Sequence, residues 1–139
     1  MPQTVRELMT DNPCFVELDT PLSAVAQTMR DNDIGDVIVV DGGEMRGILT
    51  DRDIVVRALA EGMDPRSTTV DAVYSGQLVT VTPDTPAKEA VRLMREHAVR
   101  RLPVTEDGNP IGIVSIGDLA MYRDEDSVLA DISAAPPNN

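Results

Sequence analysis

Shifted by 65 residues, the chain aligns with itself without a gap, from Val5 on Val70 to Asp53 on Asp118. Within that span Val16 falls on Val81, Asp19-Thr20-Pro21 on Asp84-Thr85-Pro86, and Met29-Arg30 on Met94-Arg95. Val39 falls on Val104, Gly43 on Gly108, and Gly47-Ile48 on Gly112-Ile113. These coincidences sit at turn, cap and core positions, where backbone geometry restricts the choice of residue. Two copies of one supersecondary unit therefore organise the chain.

Each copy reads alike. Thr20 and Thr85 are expected as helix N-caps, with Pro at the first helical position, where its missing N–H costs nothing. Leu22, Val25, Ala26 and Met29 then recur at helical spacing, as do Ala87, Ala90, Val91 and Met94, predicting helices over about 21–32 and 86–97. Short strands are expected before them, at Cys14 to Leu18 and Leu78 to Val81. Hairpins follow, with turns at Asp41-Gly42-Gly43-Glu44 and Glu106-Asp107-Gly108-Asn109. A second helix closes each copy, at Asp51 to Leu59 and Ile116 to Arg123. The predicted class is α/β in the α+β sense: two β-α-β-β-α repeats, over 4–60 and 68–123, packed as one pseudo-two-fold module. Residues 61–67 form a turn-rich linker, and 124–139 an acidic tail expected to fray beyond about Ile132.

The 139 residues carry 24 acidic and 12 basic side chains, a net charge of −12. Such a chain is a poor duplex nucleic-acid binder, because that affinity comes largely from neutralising phosphates with a basic face. The same argument disfavours an anionic membrane surface. With no Trp, one Phe and two Tyr, stacking platforms for single strands are also lacking. The N-terminus has no apolar signal core, no run is long enough to span a bilayer, and the single Cys14 has no intrachain partner. A cytoplasmic protein is expected.

Most chemical content lies in Gly47-Ile-Leu-Thr50-Asp-Arg-Asp53 and its counterpart Gly112-Ile-Val-Ser115-Ile-Gly-Asp118. In each, a strand Gly permits close approach of a second backbone or a ligand. A hydroxyl residue opens a helix, and an Asp three positions on is suited to accept from ribose hydroxyls. The same spacing is that of a capping box, which needs no ligand. A second informative segment is Val99-Arg100-Arg101-Leu102-Pro103-Val104. Its two Arg form the strongest local positive cluster, suited to a phosphate or to a solvated pair bonded to surface carboxylates. Their first-copy equivalents are Gly35 and Asp36.

A doubled β-α-β-β-α unit, with Gly-h-h-Thr/Ser-x-x-Asp closing each copy and Val-Arg-Arg-Leu-Pro-Val opening the second hairpin, resembles a pair of cystathionine-β-synthase (CBS) domains, the Bateman module. The resemblance covers about residues 4–123 and extends to the small stand-alone two-CBS proteins of bacteria, of the hypoxic response protein type. It implies a regulatory module that binds AMP, ADP, ATP or S-adenosylmethionine in clefts between the copies, forms a homodimer, and signals to a protein partner. Carried over by residue, the main cleft would place Ser115 and Asp118 on ribose, Arg101 on phosphate and Ile113 beside the base, with Cys14, Ile34, Gly35 and Asp36 from the first copy. The second would use Ile48, Thr50 and Asp53, with Val79, Val99 and Arg100. Asp36 stands where Arg101 stands. A unit charge about 4 Å from a phosphate is worth up to about 4 kcal/mol at an effective dielectric near 20, with the sign reversed for Asp, so the Ser115/Asp118 cleft is expected to bind better.

The remaining singular residues read as structural. Cys14 is expected as a small buried hydrophobe, His97 as a helix C-terminal partner without ligands at metal spacing, and Met29 and Met94 as core. No catalytic constellation and no metal site is found. The alternative to a ligand sensor is a ligand-free dimeric interaction or stress protein that kept the fold. An enzyme working through Cys14 or the carboxylates is the weakest reading.

Overall fold

The computed structural model describes residues 3–76 and 78–123. The expected acidic tail therefore lies outside the described residues. Two compact units are present, one spanning Pro13–Leu78, the other running from Val79 onward together with the segment that ends at Asn12.

In the first unit, β2 (Phe15–Glu17), α2 (Leu22–Asn32), β3 (Asp36–Asp41) and β4 (Glu44–Thr50) precede a helical segment that begins with α3 (Asp51–Asp53); β1 (Thr10–Asp11) belongs to the other unit. β2 pairs parallel with β3, and β3 antiparallel with β4. Gly42 and Gly43 both have positive φ, 60° and 88°, which a two-residue primed turn demands. The continuous apolar run Val37-Ile38-Val39 is buried throughout, as expected of a strand covered on both faces. Leu22, Val25 and Met29 of α2 pack with Val37, Val39 and Leu49 in one apolar cluster. Leu22 and Leu49 are fully buried, each stabilising the fold by about 2 kcal/mol on transfer arithmetic.

The second unit repeats the plan with α4 (Ala87–His97), β5 (Arg101–Glu106), β6 (Asn109–Ser115) and α5 (Ile116–Arg123). Its hairpin turns on Asp107 and Gly108, with φ 54° and 82°. Its third strand is β1 (Thr10–Asp11), which follows the short helix α1 (Val5–Leu8) and pairs antiparallel with β6, Thr10 opposite Ile113.

The lead-in to each repeat thus packs on the other one. Val5 donates its N–H to the Thr85 carbonyl oxygen at 2.9 Å, and Val70 donates to Thr20 at 3.0 Å. Both valines are fully buried. Ser75 pairs with Ile48 as Thr10 pairs with Ile113. The exchange recurs at the same 65-residue offset that relates the repeats.

Three expectations are corrected. The N-caps of α2 and α4 are Pro21 and Pro86, extended at ψ 143° and 142°, and no side chain caps either helix. Carbonyl oxygens of the exchanged segments replace the hydroxyls: Leu22 donates to Thr68 at 2.9 Å and Ala87 to Gln3 at 3.0 Å. Thr85 Oγ1 instead accepts from the Thr82 N–H. Next, the strand expected at Leu78 to Val81 contracts to one parallel bridge, Val81 to Val104. In the first unit Ile38 N–H donates to Cys14 at 2.9 Å; its counterpart is Pro103, which has no N–H to give. Finally, the helix expected over Asp51 to Leu59 is α-helical only through Asp53 and winds as a π-helix over Ile54–Leu59. Ala60 accordingly donates to Val55 and Met63 to Ala58.

Candidate functional site

β4 and β6 each end on a hydroxyl residue that opens a helix. Thr50 is extended, at φ −112° and ψ 162°, so its side chain folds over the first turn of α3. Its Oγ1 accepts from the Asp53 N–H at 3.1 Å, and Asp53 Oδ2 accepts from the Thr50 N–H at 2.9 Å. Ser115 and Asp118 do the same at 3.2 and 2.8 Å. Both motifs are therefore complete capping boxes, each satisfying two helix N-terminal donors. The box does not exhaust the groups. Each hydroxyl acts in it as an acceptor and has an O–H that the box does not use. Asp53 Oδ1 stands 3.7 Å from Arg57 Nε in an ion pair.

The glycine that opens each motif has a different reason. A Cβ on Gly47 would lie 1.9 Å from the Ser75 carbonyl oxygen, and one on Gly112 would lie 2.7 Å from that of Thr10. Of the two possibilities, backbone or ligand, the close approach is by the exchanged backbone. Sequence reasoning missed Ser75 and Thr10 as the partners, although the alignment places them at equivalent positions.

Charge is brought to the boxes across the hairpins. Asp36 is directly opposite Thr50, and Arg101 directly opposite Ser115. Directly opposed residues share a sheet face with Cβ atoms about 5 Å apart. Arg101, Ser115 and Asp118 therefore form one group at the start of α5. Asp36, Thr50 and Asp53 form the equivalent group, so Asp36 is a neighbour of Thr50 within its own repeat. Gly35 accepts from the Asp51 N–H at 3.0 Å, and Arg100 accepts from Ile116 at 2.9 Å. Ile48 and Ile113 lie in the strands that lead to the two hydroxyls, each paired with an exchanged segment. Cys14 and Ile34 are half-buried against the core of the first unit, and Val79 and Val99 against that of the second. A Cβ on Gly117 would make ordinary van der Waals contact with Ser115 Oγ, at 3.6 Å.

The CBS domain model matches residues 5–59 and 70–125. The chain belongs to the CBS domain family. This CBS pair is 37% identical over 120 residues to the CBS domain-containing protein YhcV of Bacillus subtilis, covering 86% of this chain and 85% of that one. It is 35% identical over 132 residues to Hypoxic response protein 1 of Mycobacterium tuberculosis, covering 94% and 92%. A crystal structure of Hypoxic Response Protein I with two coordinated zinc ions superposes with a TM-score of 0.72 at 35% identity, over 86% of this chain and 98% of that one. Among the described residues here, no three His, Cys, Asp or Glu side chains gather to hold a metal ion. A CBS domain pair solved with 5′-methylthioadenosine and S-adenosyl-L-methionine has the same fold, with a TM-score of 0.77 at 22% identity over 87% of this chain and 99% of that one. Among the described residues, no helix is long and apolar enough to cross a membrane.

Proposed function

We propose that this CBS pair is a regulatory module that binds an adenosine-containing ligand, AMP, ADP, ATP or S-adenosylmethionine, at its hydroxyl–carboxylate boxes and signals to a protein partner. The observation that carries this reading is the grouping of Arg101 opposite Ser115, with Ser115 bonded to Asp118. Asp118 supplies an acceptor for ribose hydroxyls, Ser115 a donor, and Arg101 a countercharge for phosphate. Both polar groups are held before any ligand arrives, because the capping box orients them at the helix start. The protein acts in the cytoplasm and carries no catalytic chemistry of its own. Its output is limited by the ligand's differential affinity for two conformations.

The test is a thermal-unfolding panel with AMP, ADP, ATP and S-adenosylmethionine, backed by calorimetric titration. A ligand at 100 times its dissociation constant adds about 2.7 kcal/mol to the stability of the native state. Stabilisation by at least one compound, lost in Arg101→Ala, is expected. No shift with any compound overturns the reading.

A ligand-free dimeric interaction protein that kept the fold is the second reading, and its self-association is tested separately. Val55, Val56 and Leu59 are 54%, 43% and 50% exposed on the π-helical turns, where a second copy of the chain would cover them. Sedimentation of the wild type as a dimer and of Leu59→Glu as a monomer is expected if this face self-associates. Homodimerisation is compatible with either reading, so the ligand panel decides between them.

A further inference from the structure

Residues 3–12 open the first repeat yet make their contacts on the second. Val5 is fully buried there, in one cluster with Val81, Ala87 and Leu102, and Leu8 and Met9 pack against the same cluster. Val5 and Arg6 donate their N–H groups to the carbonyl oxygens of Thr85 and Pro83 at 2.9 and 3.0 Å, and Gln3 accepts from Ala87 at 3.0 Å. β1 pairs with β6, and Arg6 forms an ion pair with Glu106 at 3.2 Å. The arm joins the rest of the chain at Asn12, after which the other unit begins. Asn12 is exposed and has a φ of 53°, in the left-handed region. Asn tolerates that region, but the next residue is Pro13, whose ring crowds the residue before it and drives that residue to extended backbone. The joint is therefore strained while the arm sits on its own chain, and an extended Asn12 relieves it.

Extending the joint redirects the arm away from the seat on its own second repeat, which another copy's arm fits equally well. We propose that two copies of this chain exchange residues 3–12, each arm filling on the partner the seat it fills on its own chain. Every contact of the arm is kept in the exchange, and two strained joints relax per pair. Only the loss of independent motion on association opposes it, and rising protein concentration offsets that loss. The interaction surface is thus the β6 edge together with the apolar seat of Val5, and its partner is a second copy of the same chain. The exchange uses none of Val55, Val56 and Leu59, and it does not depend on any ligand.

A disulfide across the seat tests it. Thr10 and Ile113 are partners across β1 and β6, and directly opposed residues of an antiparallel pair have Cα atoms about 4.5–5.5 Å apart, within the span of a disulfide. The full chain carrying Thr10→Cys, Ile113→Cys and Cys14→Ala is concentrated under reducing conditions and then oxidised. The expected product is a covalent dimer on a denaturing non-reducing gel, with peptide mapping joining position 10 of one chain to position 113 of the other. A bond closed within one chain overturns the inference, even where the native protein sediments as a dimer through another face. The joint supplies a second readout that needs no added cysteine, taken in Leu59→Glu so that the other apolar face does not contribute. Asn12→Gly, which adopts positive φ without strain, and Pro13→Ala, which frees Asn12, are expected to raise the dimer's dissociation constant about tenfold. Asn12→Val, whose β-branched side chain resists positive φ, is expected to lower it about tenfold. Sedimentation over a range of concentrations measures the three, and equal dissociation constants in Asn12→Gly and Asn12→Val overturn the inference.

Discussion

The Ser75 carbonyl oxygen lies 1.9 Å from the point where a Cβ on Gly47 would stand. Ser75 is held there by two hydrogen bonds with Ile48, 3.0 and 3.2 Å long, so neither backbone can retreat without breaking the pairing. Gly47→Ala is therefore expected to destabilise the chain by about 3 kcal/mol, the upper part of the range for overpacking a fitted interior. Urea unfolding measures it. A loss below about 1 kcal/mol would mean that the exchanged segment is not seated on β4.

The equivalent substitution in the second repeat is predicted to be milder. A Cβ on Gly112 would meet the Thr10 carbonyl oxygen at 2.7 Å and the Met9 sulfur at 2.9 Å. A Met side chain rotates away more easily than a backbone, and β1 has only two residues to displace. Gly112→Ala is expected to cost about half as much as Gly47→Ala in the same titration, within the overpacking range.

Ala98 ends α4 in the left-handed region, at φ 54° and ψ 41°, a conformation that crowds an L side chain and suits glycine. It is also exposed, so its methyl group contributes little packing. Ala98→Gly is expected to stabilise the protein by about 0.5 kcal/mol, the relief of strain exceeding the extra chain entropy of an unfolded glycine. Thermal unfolding would show the gain, and a lower melting temperature would contradict it.

The sequence showed the unit twice because its constraints are local. Turn glycines, the Thr-Pro helix entries, the apolar spacing of Leu22, Val25 and Met29, and the hydroxyl–carboxylate boxes all act within a few residues of themselves. What stayed hidden depends on partners distant in sequence. The Thr-Pro pairs looked like side-chain caps, yet the donors they would satisfy are taken by Gln3 and Thr68. Gly47 and Gly112 were legible as points of close approach, but not the strands that approach them. The shortened pairing at Val81 follows from Pro103, whose register against that segment no periodicity reveals. At the site, each hydroxyl and carboxylate was legible from spacing. Arg101 beside Ser115 and Asp118 is what the resemblance implies, whereas Asp36 facing Thr50 needs the hairpin register.

Arg92 bridges Glu89 and Glu96 on the exposed face of α4. The hydrogen bond from Arg92 holds the Glu89 carboxyl below its ordinary range. A carboxylate depressed in the folded state adds stability above its unfolded value, and that stability disappears as the pH falls through the folded value. Arg92→Ala is therefore expected to leave thermal stability almost unchanged at pH 7 in high salt, since the pair is solvent-screened. The difference from wild type should be largest at low ionic strength above the carboxylate range and vanish under acid conditions. A melting difference that grows on acidification would contradict the assignment.

The capping boxes make stability and ligand binding separable at the same residues. Removing the Ser115 hydroxyl leaves the Asp118 N–H without its acceptor, so Ser115→Ala is expected to cost about 1 kcal/mol in the absence of any ligand. Asp118→Asn keeps a carbonyl oxygen that can accept from the Ser115 N–H, and is expected to cost less. It removes the charge and one acceptor from any ribose diol, so its effect on adenosine binding is predicted to exceed its effect on unfolding. Urea titrations with and without a bound nucleotide separate the two. If Ser115→Ala unfolds like the wild type, the box contributes nothing to the fold; if Asp118→Asn binds like the wild type, its carboxylate serves the helix alone.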